Sequence, residues 1–157
     1  MGVISIILHG MDGVPPLKLK APLAGVLLFS PMVSLTTESE SWTTNKEKDC
    51  VAPISIHLLS AVYVDPERID NYSEPFRADA AWWKGVPAKS ILNVYGEDEC
   101  FRSDIVEFGQ KLTKAGNDVE DAECPEHVHI DWILDLQAGF EPGVMSVKIL
   151  NWLSRVF

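Results

Sequence analysis

Residues 90–95 have the sequence SILNVY, an apolar run of strand length that stops at Gly96. A continuous run of this kind is typical of a parallel strand that helices cover on both faces. A second run, AGVLLF, occupies residues 24–29 and ends at Ser30. A third, DVEDAE at residues 118–123, carries charges that indicate a position near the edge of the sheet. Together the three runs predict a parallel sheet of three strands.

Helical patterns lie between and after these strands. Apolar side chains recur at helical spacing over residues 103–115, and Gly116 marks the end of that helix. Strands that alternate with helices predict right-handed βαβ crossovers and an α/β fold. A last helix over residues 144–157 is predicted to present one broad apolar face, formed by Val144, Val147, Ile149, Leu150, Leu153 and Val156.

The region between the first two strands has a different composition. Residues 32–72 are polar and rich in Ser and Thr, with an amphipathic stretch over residues 53–63, and they predict a lid-like excursion from the sheet. Residues 2–10 have the pattern of the end of a buried helix. At 157 residues the chain is about one domain long, so residues 1–157 are assigned to a single domain.

The charge and the cysteine content exclude some classes of protein. The formal net charge of -10 argues against binding nucleic acid or an anionic membrane surface, because both require basic protein surfaces. The apolar start of the chain has no basic residue before it and is interrupted at Gly10, so it indicates neither a signal peptide nor a membrane span. The cysteines, Cys50, Cys100 and Cys124, are too few for a disulfide framework and favour a reduced, cytoplasmic protein.

Ionisable side chains follow two of the predicted strands, at the point where each strand ends. Carboxylates lie at residues 97–99 after one strand, and His127 and His129 lie after the next. Because neighbouring strands are about 4.8 Å apart, loops of this length can bring a carboxylate into hydrogen-bond contact with an imidazole. Such a carboxylate would orient the imidazole, which could then carry a proton to and from a nucleophile.

A metal site is the alternative interpretation of the second loop. Its ligands would be Cys124, His127, His129 and Asp131, because a His-x-His pair can chelate on an extended segment. The set offers no firm fourth ligand and no residues to orient the ligands. We therefore predict that the chain holds neither a metal ion nor a cofactor.

Residues 96–104, GEDECFRSD, resemble the acid motif of α/β-hydrolases of the hormone-sensitive-lipase type. That group includes arylacetamide deacetylase and relatives of fungal steryl-acetate hydrolase, with the pattern acidic-x-[Leu/Phe]-Arg-x-Asp. Aligning Phe101 and Arg102 with this pattern puts the catalytic acid at Glu99, where most members carry Asp. Asp98 is the alternative acid, because it is one residue away and of the usual type.

Three further segments carry the same resemblance. Residues 125–129, PEHVH, look like the family's Pro-x-x-x-His segment and select His129 as the catalytic base. Residues 24–31 match its strand ending in Ser-Pro, and residues 73–76 resemble its Ser-Pro-Leu segment. The resemblance implies a partial α/β-hydrolase fold with a partial cap. It also implies hydrolysis of a small-molecule ester or acetylated substrate through an acyl-enzyme.

The nucleophile of that family has no match in the sequence. No Gly-x-Ser-x-Gly turn occurs in the 157 residues, and the His-Gly-Gly oxyanion motif is missing too. Ser5 lacks the flanking glycines of a nucleophile turn, and Cys100 and Cys124 have the pattern of small apolar filler residues. The resemblance places the nucleophile just before Met1, with Gly2 as the last glycine of its turn.

These observations predict the C-terminal half of a hydrolase that is inactive alone. The strand over residues 24–29 would then present an open apolar edge, which predicts self-association. The alternative is a shortened, non-catalytic binding or regulatory protein that retains the pocket.

Overall fold

The computed structural model describes residues 1–157 and contains three parallel strands in the order β1-β2-β3. They are β1 (Val26–Phe29), β2 (Ile91–Gly96) and β3 (Val119–Cys124). Phe29 pairs with Val94, and Gly96 pairs with Cys124. The carboxyl ends of all three strands therefore lie along one edge of the sheet. The predicted α/β fold with three parallel strands is confirmed.

Helices cover both faces of the sheet. The α-helices are α1 (Gly2–His9), α2 (Glu40–Thr44), α3 (Pro53–Tyr63), α4 (Arg102–Lys114), α5 (Asp131–Ala138) and α6 (Val144–Val156). Three short 3-10 helices span Pro66–Arg68, Pro75–Arg77 and Ala80–Trp83. No helix in the chain combines the length and apolarity needed to cross a bilayer.

All six residues of β2 are buried, as expected for a strand covered on both faces. Because side chains alternate along a strand, Ile91 and Leu92 point to opposite layers. Ile91 belongs to a cluster with Trp83 and Phe108, on the side of α4. Leu92 belongs to a cluster with Ile149 and other residues of α6. The sheet is thus packed between α4 and α6. The loops at its carboxyl edge therefore begin at strands whose positions are fixed on both faces.

The apolar face predicted for the last helix is partly wrong. Ile149 is fully buried, but Val144, Val147 and Leu150 are each about half exposed (49%, 47% and 51%). The buried stripe of α6 instead runs through Met145, Ile149 and Trp152, at the i, i+4, i+7 spacing of one helix face. Apolar residues occur all round this helix, so the sequence alone did not define the buried side.

Helix α5 has no counterpart in the sequence predictions. It begins after Ile130, whose φ of 52° is left-handed, and ends at Gly139, with a φ of 74°. A β-branched residue rarely adopts this conformation, so a helix start at this point has no ordinary capping signal.

Residues 32–72 contain α2 and α3. The amphipathic stretch predicted over residues 53–63 coincides with α3, but Ile56 is its only buried residue. β1 has no strand paired along its outer edge. Self-association through that edge stays a prediction.

Candidate active site

The loop after β2, residues 96–101, places one carboxylate inside the protein; we call it the acid loop. Glu99 is completely buried. Its Oε1 accepts hydrogen bonds from Ser30 Oγ (2.5 Å) and from the backbone N–H of Gly96 (2.6 Å). A buried carboxylate is costly unless its oxygens are hydrogen-bonded, and these two donors satisfy one of them. The other oxygen, Oε2, faces His129.

The loop after β3, residues 125–130, carries that histidine; we call it the base loop. His129 Nδ1 lies 3.3 Å from Glu99 Oε2, and the His129 side chain is 18% exposed. The ring packs against Phe101 with 4.9 Å between ring centroids. An ionised carboxylate can only accept, so this contact places the proton on Nδ1 and leaves Nε2 as a base. His129 Nε2 has no hydrogen-bond partner in the protein.

The distance of 3.3 Å is longer than the roughly 2.8 Å of a charge-assisted hydrogen bond. Such contacts are often loose in unliganded enzymes and tighten when a substrate binds. The geometry is therefore that of a buried carboxylate facing an imidazole at slightly more than the optimal hydrogen-bond distance.

Backbone contacts hold the two loops side by side. The N–H of Glu97 donates to the carbonyl of Cys124 (2.9 Å), and the N–H of Asp98 donates to the carbonyl of His127 (3.0 Å). Gly96 lies so close to the base loop that an added Cβ would overlap the carbonyl of His127. Only glycine fits at this position, because the obstructing atoms are backbone.

Ser30, at the end of β1, connects the acid loop to the base loop. Besides donating to Glu99, Ser30 Oγ accepts from the backbone N–H of Ile130 (3.2 Å). Ser30 and Ile130 both have left-handed φ, 42° and 52°. Such strained residues persist only where surrounding contacts hold them. The sequence marked Ser30 as a strand end, but its role as a donor to Glu99 was not predicted.

The other predicted site residues have different partners. Asp98, the alternative acid, forms an ion pair with Lys48 (2.6 Å) and makes no hydrogen bond to His129. His127 Nδ1 contacts Asp131 Oδ2 at 2.6 Å. The structure therefore brings Glu99, and not Asp98, to His129.

The residues of the alternative metal set are not brought together. Cys124 is fully buried, and its Sγ faces the carbonyl of Ala122. The two histidines contact different carboxylates. No group of three or more His, Cys, Asp or Glu side chains is placed to hold a metal ion.

The segment 41–50, which we call the strap, lies against the acid loop. Ser41 Oγ donates to the carbonyl of Cys100 (2.6 Å), and Asn45 Nδ2 donates to the carbonyls of Glu97 (3.0 Å) and Glu99 (2.9 Å). Trp42 is buried edge-on against Phe101. Side chains of the strap thus donate hydrogen bonds to three backbone carbonyls of the acid loop. Nothing in the sequence of the lid-like region indicated this contact.

The chain matches the family described as alpha/beta hydrolase fold over residues 11–132, more than three quarters of its length. The chain belongs to the alpha/beta-hydrolase fold family. No curated protein sequence matches it. The resemblance to α/β-hydrolases inferred from the four motifs is confirmed.

Solved structures of hydrolases share this fold. A hormone-sensitive lipase from a metagenome library is 24% identical with a TM-score of 0.75; the match covers 99% of this chain and 51% of the lipase. Fungal esterases from Rhizomucor miehei match at 17% identity and a TM-score of 0.76, covering 99% of this chain and 47% of that one. A thermostable esterase from Pseudomonas putida matches at 20% identity and a TM-score of 0.67, covering 82% and 38%. The chain therefore spans about half or less of the length of these hydrolases.

Within this alpha/beta-hydrolase fold, none of the nucleophiles considered from the sequence is placed at His129 Nε2. Ser5 is buried in α1, where its Oγ accepts from Trp82 Nε1 (3.3 Å). Burial raises the pKa of the Cys100 thiol to about 12 and that of the Cys124 thiol to about 11. Both cysteines are therefore protonated at neutral pH, whereas the thiolate is the nucleophilic form.

Asp104 of the acid motif is expected to make a contribution to stability that depends on pH. Burial raises the pKa of Asp104 to about 6, and Ser39 and Trp42 lower it by less. The folded chain then binds this proton more tightly than the unfolded chain, so the contribution of Asp104 to stability is largest below about pH 4 and is lost as the pH rises to about 6. We expect a fall of up to about 2 kcal/mol in the free energy of unfolding after solvent screening. Asp104→Asn should remove this fall in urea unfolding measured across that range.

Proposed function

We propose that Glu99 and His129 are the acid and base of an ester hydrolase that works through an acyl-enzyme. The observation that carries the proposal is the contact between Glu99 Oε2 and His129 Nδ1 at 3.3 Å, at the carboxyl edge of a parallel sheet. The family membership and the esterases among the structural neighbours support the same reaction. The proposed substrate is a small-molecule ester or an acetylated compound.

The proposed reaction uses the imidazole in both directions. His129 Nε2 takes the proton from an attacking hydroxyl as its oxygen bonds to the carbonyl carbon of the ester. The imidazolium then gives that proton to the departing alcohol as the ester C–O bond breaks. Water hydrolyses the acyl group by the same two proton transfers. Glu99 stays ionised throughout and stabilises the imidazolium.

The attacking hydroxyl is proposed to come from a segment outside the 157 residues. No serine of the chain approaches His129 Nε2 within hydrogen-bond distance. We test the function by fusing the chain behind the first half of a related esterase, which carries a Gly-Asp-Ser-x-Gly turn. Hydrolysis of p-nitrophenyl acetate by the folded fusion, above that of either part alone, is the expected result. A folded fusion without activity would contradict the proposal.

The 157-residue chain alone is expected not to react with a fluorophosphonate. Such probes label only an activated serine, and no hydroxyl of this chain is paired with His129. Labelling followed by mass spectrometry of the intact protein measures this. The fusion serves as the positive control. Labelling of the chain alone that disappears in His129→Ala would show that an activated serine lies within it.

A further inference from the structure

The base loop is held in a conformation that it would not adopt by itself. Glu126 and Ile130, on either side of His129, both have left-handed φ values of 59° and 52°. For a β-branched residue such as Ile130 this conformation is unfavourable. The loop relaxes unless contacts from outside keep it in place. One of these is the hydrogen bond from Ile130 N–H to Ser30 Oγ.

A second outside contact comes from Asp49 in the strap. Asp49 Oδ1 accepts from the backbone N–H of His129 (3.0 Å) and of Cys50 (2.7 Å). Asp49 Oδ2 accepts from the backbone N–H of Cys100 (2.7 Å), directly after Glu99. Hydrogen bonds to an ionised carboxylate are stronger than those between neutral groups.

No other side chain of the strap bonds to both loops. Of the two loops, the side chains of Ser41, Asn45 and Lys48 bond only to the acid loop. The Sγ of Cys50 contacts only the base loop, at the carbonyl of His129 (3.4 Å). Two amides, one beside the acid and one on the base residue itself, therefore converge on a single carboxylate.

We propose that Asp49 is a positioning residue that fixes the separation of Glu99 from His129 and thereby keeps the proton on His129 Nδ1. The inference rests on the proposed function, because it assigns Asp49 a role in the same acid–base pair. An asparagine at this position keeps the size of the side chain but offers one acceptor oxygen instead of two. The NH₂ group of the asparagine would face a backbone N–H, and two donors cannot form a hydrogen bond. One of the two loops would therefore lose its hydrogen bond to residue 49.

The test measures the tautomer of His129 in the ¹⁵N-labelled 157-residue chain by NMR at alkaline pH. In the wild type we expect the Nδ1–H form to predominate. In Asp49→Asn we expect the ratio of Nδ1–H to Nε2–H to fall about fivefold, the effect of weakening one hydrogen bond. The amide protons of Cys100 and His129 should also exchange with solvent faster.

The matched control is Asp79→Asn. Asp79 Oδ1 also accepts from a backbone N–H, that of Trp82 (3.1 Å), but contacts neither loop. Asp79→Asn removes the same negative charge but keeps the one acceptor oxygen that Asp79 uses, so the His129 ratio should stay as in the wild type. A change of equal size in this control would show that removing any negative charge shifts the tautomer, and it would overturn the proposal.

A second variant covers the case in which Asp49→Asn does not fold. Asp49→Glu keeps the charge and both oxygens, but its longer side chain cannot hold the loops at the same separation. We expect the same direction of change. An unchanged ratio in whichever variant folds would overturn the role of Asp49. A wild-type chain without Nδ1–H on His129 would instead contradict the proposed acid–base pair itself.

Discussion

His129→Ala is expected to lower ester hydrolysis by the fusion protein by about 10⁴-fold or more. The variant leaves no group that can take the proton from the attacking hydroxyl. Binding and oxyanion contacts would still give a small residual rate above that in water. The measurement is kcat/KM for p-nitrophenyl acetate, with circular dichroism to show that the variant is folded.

His127→Ala is the control for His129→Ala, because it replaces a second histidine of the same loop by alanine. His127 lies two residues away in the base loop, but its Nδ1 contacts Asp131 and not Glu99. We expect it to keep most of the activity. Equal losses in the two variants would mean that the loop is required only for folding. A larger loss in His127→Ala would mean that the base is His127, contrary to the assignment.

Much of the fold could be predicted from local sequence patterns, because the pattern of apolar residues in a segment depends on which of its own faces are buried. The run at residues 90–95 predicted a strand covered on both faces, and β2 is buried along its whole length. The run at residues 118–123 predicted an edge strand, and β3 pairs with β2 alone. The motifs at the strand ends predicted that Glu99 and His129 lie close together, because parallel strands bring their carboxyl ends to one edge of the sheet.

The hydrogen bonds that support the site from other parts of the chain could not be predicted from local patterns. Asp49 and His129 are 80 residues apart, and Ser30 and Ile130 are 100 apart. Neither pair leaves a local pattern, because the spacing depends on how the strap folds back over the sheet. The buried face of α6 was missed for a related reason: only the sheet decides which of its apolar sides is covered. Sequence patterns thus specified the three strands and the candidate site residues, and tertiary packing specified what holds those residues in place.

Gly96→Ala is expected to destabilise the chain by about 3 kcal/mol or more, a large cost for one methyl group. The new Cβ would overlap the carbonyl of His127 and lie 3.1 Å from the backbone N of Val128. Backbone atoms cannot turn aside as a flexible side chain can, so the base loop must move away from the acid loop. The hydrogen bond from Asp98 N–H to the carbonyl of His127 would then break. Urea unfolding measures the loss of stability.

Gly143→Ala separates this effect from the general effect of replacing a glycine. Its Cβ would lie 3.3 Å from side-chain atoms of Asp135 and His127, which can shift by a few tenths of an ångström. We expect less than about 1 kcal/mol of destabilisation there. We also expect the His129 tautomer to change in Gly96→Ala and not in Gly143→Ala, because only the first variant separates the two loops. A Gly96→Ala chain as stable as the wild type would mean that the end of β2 and the base loop are not in contact, and the acid–base pair would lose its structural basis.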